Sequence, residues 1–95
     1  MNIKDLHENN KEISAKKISD KIAGSATAIQ ILAGALLKEH VTEIPAVLLC
    51  ISGEVVFEDE KGGKTTLASG DYHAIEPKLK HWVKGVHDSQ LILLK

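Results

Sequence analysis

Turn-forming residues punctuate this chain every eight to twelve residues, and that rhythm constrains its fold more than any other feature. The breaks fall at Ala33-Gly34-Ala35, Pro45, Ser52-Gly53, Lys61-Gly62-Gly63-Lys64, Ser69-Gly70-Asp71, Pro77, Gly85 and Asp88-Ser89. Between them lie runs of strand length: ATAIQIL from Ala26, LLKEHVT, PAVLLCI, GEVVFEDE, KTTLA, YHAIE, KLKHWVKGV and QLILL. Gly62-Gly63 between two such runs signals a hairpin, because glycine reaches positive φ without steric cost. Seven or eight short strands with this spacing predict an all-β sandwich or barrel.

The run PAVLLCI sharpens the packing. In a strand Val47, Leu49 and Ile51 share one face, and Leu48 and Cys50 share the other. Both faces are apolar, whereas a strand with one wet face alternates. The barrel interior accounts for one face. The other needs the N-terminal arm or a second copy of the chain, which predicts a homodimer. The arm, residues 1–22, is polar and carries charges of both signs. Its Ile13, Ile18 and Ile22 lie near helical spacing, yet strand fits this segment as well. Residues 23–95 form the predicted barrel domain.

Charge and cysteine content exclude several classes of function. The formal net charge is −1, and all the basic residues are lysine. Without arginine there is no planar fork for phosphate, carboxylate or guanine, so neither nucleic acid nor an anionic membrane is an expected partner. One cysteine, Cys50, excludes an internal disulfide and multi-cysteine zinc sites. The N-terminus has no apolar stretch of signal-peptide length, and no run reaches the roughly 20 residues of a membrane span. A soluble cytoplasmic protein is the resulting expectation.

Chemistry concentrates in two segments. Gly34 is followed by His40, Thr42, Ala46 and Gly53; Gly70 is followed by Glu76, Pro77, Lys78, His81 and Gly85. In this register the segments resemble the two sequence blocks of the small single-domain cupins, and the resemblance covers about residues 26–95. Cupins place histidine at the positions of His40, Thr42 and His81, and glutamate at that of Ala46. They place glycine at that of Lys78, and their proline falls one position before Pro77. The resemblance implies a double-stranded β-helix, the jelly-roll barrel of RmlC-like cupins, with an eroded first metal-binding block.

It also implies the candidate site. His40 and His81 are the candidate ligands of a divalent transition metal, such as Zn, Fe, Mn or Ni. The wider ligand-binding set is His40, Thr42, Glu43, Ala46, Cys50, His73 and His81. Threonine is a poor ligand for such a metal and alanine is none. Three readings of His40 and His81 therefore stay open: a residual metal site, a metal-free pocket whose imidazoles bind a polar molecule or exchange protons, and histidines satisfied structurally. The expected function is binding of a small polar molecule in the barrel. The alternative is a non-catalytic ligand-sensing or interaction module without metal.

Overall fold

Alternating apolar positions in the short runs pair them into two facing sheets. The computed structural model describes residues 1–19 and 23–95. The strands are β1 (Ile13–Lys17), β2 (Ala26–Ile31), β3 (Leu36–His40), β4 (Ala46–Ser52), β5 (Glu54–Asp59), β6 (Lys64–Ala68), β7 (Tyr72–Ile75), β8 (His81–Gly85) and β9 (Ser89–Leu94). One sheet has the order β1-β2-β9-β4-β7 and the other β3-β8-β5-β6, with antiparallel pairing throughout. This is the all-β jelly-roll architecture expected.

Inward positions alternate as a half-buried sheet requires. Ala46, Leu48 and Cys50 of β4, Val55 and Phe57 of β5, Val83 of β8 and Leu91 of β9 are buried between the sheets. Asp59 ends β5 by accepting the Lys61 and Gly63 amides at 2.9 and 3.0 Å, which closes the Gly-Gly hairpin. Glu58, outward beside it, pairs with Lys84 at 3.0 Å. That contact, first among its causes, holds the Glu58 carboxyl below the usual range.

Three features depart from the simplest reading of the runs. The segment around Ile13 is a strand, β1, that pairs with β2, with a short 3-10 helix over Ile3–Leu6 before it. Ile22 and the expected boundary between arm and barrel lie outside the described residues. β8 begins only at His81, because Lys78 turns the chain in the left-handed region at φ 65°. β3 stops at His40, so Thr42 lies beyond it.

Lys78 stands where cupins carry glycine, and its backbone keeps the conformation that glycine favours. Its amide donates to the Thr42 carbonyl at 2.8 Å, so the turn ties the two candidate segments together. A left-handed non-glycine residue costs about 1–2 kcal/mol, partly offset by the greater entropy glycine loses on folding. Lys78→Gly is therefore expected to stabilise the fold by about 0.5–1 kcal/mol. Urea unfolding of the two chains checks this; an unchanged or lowered midpoint contradicts it.

The arm packs on the outward side of β1 and β2. His7 Nδ1 and Ser14 Oγ share a hydrogen bond of 2.6 Å, and Gln30 reaches the carbonyls of Glu8 and Lys11. Burial, and then Lys16, push the His7 imidazole below its ordinary pKa. Farther across the same sheet, Ile51, Tyr72 and Leu94 stay exposed.

Candidate functional site

His40 reaches the interior through an irregularity. Leu37 of β3 packs against the core while Leu36 is exposed. Strict alternation from Leu37 would turn Glu39 inward and His40 outward. The register instead shifts between Leu37, paired with Val83, and His40, paired with His81. An extra residue on one strand reverses which side later residues face, and bulges commonly re-aim a side chain in this way. His40 thereby meets His81, which β8 holds inward two residues before Val83.

The two rings are fixed at both ends. Their Nε2 atoms lie 3.0 Å apart, with ring centroids at 4.2 Å and planes inclined by 67°. His40 Nδ1 lies 2.9 Å from the Lys38 carbonyl, and His81 Nδ1 lies 3.0 Å from the Leu79 carbonyl. Each carbonyl can only accept, so each Nδ1 must carry hydrogen to make its bond. Two neutral imidazoles own two ring protons, whereas the three short contacts need three. A singly protonated pair has the required number. Burial, and to a lesser degree the neighbouring His40, hold His81 below the usual histidine range, which disfavours the charged form of that ring, while its bond to the Leu79 carbonyl works the other way.

The surroundings are apolar. His81 is 1% exposed and stacks on Phe57 at a centroid distance of 5.2 Å. His40 is half-buried and faces the barrel mouth. Leu37, Leu48, Phe57, Ile75 and Val83 line the space beside the pair, a cavity of about 10 Å³. That volume admits about one water-sized group.

The other candidate residues are spread around this point. His73 shares the inward face with Leu48, its partner across the strands, and its ring lies 4.3 Å from that of Phe57. Ala46 is buried in the core and offers no donor; Thr42 is buried beyond the cavity lining; Glu43 is exposed. Cys50 is fully buried, with Sγ directed to the carbonyls of Ser52 and Gly53, and burial pushes its thiol pKa up. Phe57, placed between His73 and His81, is a site residue the motif spacing does not mark; its inward parity with Val55 is the signal in the sequence.

These positions do not fit the metal that the resemblance implies. Among the described residues, no group of three or more His, Cys, Asp or Glu side chains is placed to hold a metal ion. A cation here would meet two neutral nitrogens, apolar walls and room for about one water, little compensation for burying a double charge.

Comparison with known proteins agrees on the fold. No family model and no curated protein matches the chain. Among solved structures, a cupin superfamily protein from Desulfitobacterium hafniense superposes with a TM-score of 0.85 at 12% identity, covering 98% of this chain and 84% of its own. An RmlC-like cupin family protein with a double-stranded β-helix fold, from Methanocaldococcus jannaschii, gives 0.78 at 13% identity, over 94% of this chain and 84% of its own. KdgF from a Halomonas species gives 0.78 at 23% identity, covering 95% and 87%. At such identities the likeness shows the fold: the chain is a small cupin-fold β-barrel. Among the described residues no helix is long and apolar enough to cross a membrane.

Proposed function

We propose that this chain binds a small polar molecule at the mouth of the barrel, with the His40–His81 pair as a metal-free anchor that holds one shared proton. The observation that carries this reading is the proton count: three short contacts draw on two neutral rings. The cavity has room for one hydroxyl-sized group, so a ligand would insert a hydroxyl toward the pair and leave its body at the mouth. Histidine suits this role because its charge changes near neutral pH. Nitrogen-15 spectra of the two rings across pH 5–8 provide the test. Both Nδ1 protonated, with one proton taken up by the pair, is the expected result. A ring with unprotonated Nδ1 throughout, or two independent uptakes, contradicts it. Titration with glycerol and lactate should then shift the His40 ring signals, and unmoved signals with both would overturn hydroxyl insertion.

A second copy of the chain is the proposed occupant of the exposed sheet face. Val47, Leu49 and Ile51 of β4, Tyr72 and Ala74 of β7, and Ile92 and Leu94 of β9 form the outward row across three paired strands. No charged side chain interrupts it, and Tyr72 is 70% exposed at its edge. A neutral apolar face is self-complementary, as a two-fold interface requires. Sedimentation should give a dimer for the native chain and a monomer for Tyr72→Glu. A native mass of one chain at all concentrations contradicts this interface.

A further inference from the structure

The segment ahead of β1 is fastened to the barrel by few contacts. No residue of its 3-10 helix is buried. Gln30 Nε2 of β2 donates to the carbonyls of Glu8 and Lys11 at 2.9 and 2.8 Å, and Gln90 Nε2 of β9 donates to Gln30 Oε1 at 2.8 Å. Among residues 1–12 the single buried side chain is His7, 7% exposed. The arm therefore closes on the sheet around one imidazole.

That ring is satisfied on one side only. Nδ1 and Ser14 Oγ share their hydrogen bond of 2.6 Å, while Nε2 is shut off from solvent with no partner among the described residues. A neutral imidazole carries one ring proton, so Nε2 is at present an uncharged orphan whichever way the Ser14 bond runs. A second proton would place hydrogen on both nitrogens and a charge on the ring. Nε2–H would then be a charged donor with neither an acceptor nor water, a much costlier state than a neutral orphan. Only movement of the arm would bring water to it.

The surrounding elements do not offset such a charge. The strands β2 and β9, ATAIQI and SQLILL, contain no ionisable side chain. From β1, Lys16 lines the cleft beside His7 and repels a positive ring. From the arm itself Asp5, Glu8 and Lys11 line the same cleft, and neither carboxylate reaches Nε2. The lowered pKa of His7, already traced to burial and Lys16, agrees with this geometry.

We propose that His7 is an acid-released latch: residues 1–11 close over the outer side of β1 and β2 while its ring is neutral, and lift away when the ring takes up a proton. The open arm binds that proton more tightly, so closure is strongest above the ordinary histidine value of about 6.5. Below it, closure weakens by up to about tenfold per pH unit, until the closed ring is itself protonated. Lifting would uncover Gln30 and Gln90, a neutral hydrogen-bonding strip on the first sheet. The test follows the full chain by NMR from pH 7.5 to 5.0, reading the His7 ring and the backbone amides of residues 3–11. An ordered arm at pH 7.5 is expected, with order lost at pH 5.0 in step with the His7 ring, while the amide of Leu67 in β6 stays in place. His7→Asn, which offers Ser14 a neutral N–H, should hold the arm closed at both pH values. Ser14→Ala keeps the titrating ring but removes its one bond, so release should move to higher pH. A native arm that stays ordered after His7 is protonated overturns the latch. Release at pH 5.0 in His7→Asn to the native degree, or an unmoved midpoint in Ser14→Ala, overturns it equally.

Discussion

Gly53→Ala is expected to cost about 2–5 kcal/mol, the sum of a left-handed backbone penalty and overpacking in a closed corner. Gly53 has φ 91°, and a methyl there would strike the Asp88 carbonyl and Ser89 Oγ and lie 2.7 Å from Ser89 Cα. These neighbours have little freedom to yield. Ser89 is fully buried; its Oγ accepts the Glu54 amide at 3.0 Å and donates to the His87 carbonyl at 2.7 Å. Gly70 is the control, because it shares φ 91° but has no neighbour within 4 Å of the added carbon. Gly70→Ala should cost only the backbone share, about 1–2 kcal/mol. Since a small domain holds about 5–10 kcal/mol in total, Gly53→Ala brings the chain close to unfolding while Gly70→Ala does not. Equal urea midpoints for the two variants would contradict the account of the β4–β5 corner.

His81→Ala and His40→Ala should abolish the shared proton alike but differ sharply in stability. His81 is buried to 1% exposure, stacks on Phe57 and bonds the Leu79 carbonyl. Its removal opens a cavity and strands a carbonyl, which should cost about 2–4 kcal/mol. His40 is half-buried, and water can replace much of what it loses, so its removal should cost about 1 kcal/mol or less. His40→Ala is therefore the variant that separates function from folding. Thermal and urea unfolding of both chains check the contrast, and a similar loss for the two would contradict the placement of His40 at the mouth.

The strand plan was legible because each break has its own chemistry: Gly62-Gly63 at a hairpin, Gly53 at a corner that excludes any Cβ, Pro77 before a left-handed residue. His40 and His81 were legible as a meeting pair through motif spacing. Strand alternation alone would have misplaced His40, because a register shift is invisible in a pattern that counts by two. Lys78 hid its turn for a related reason, since a lysine in the left-handed region gives no warning that glycine would. Gln30 and Gln90 carried the least signal. A glutamine in a strand reads as a solvated outward residue, and only the arm folding over β2 turns these two into a buried relay. The arm itself was ambiguous, since Ile13 and Ile18 are too few to distinguish helix from strand before tertiary pairing decides.

The same contrast governs the site. Thr42 and Ala46 already signalled a reduced ligand set, and the fold adds that no other carboxylate or thiol replaces the missing donors among the described residues. The central claim is that the paired imidazoles work without a resident metal. Elemental analysis of protein purified without an affinity tag tests it most directly. The account predicts far less than one transition-metal ion per chain, whereas one Zn, Fe, Mn or Ni per chain, lost together with His40 in His40→Ala, would contradict it.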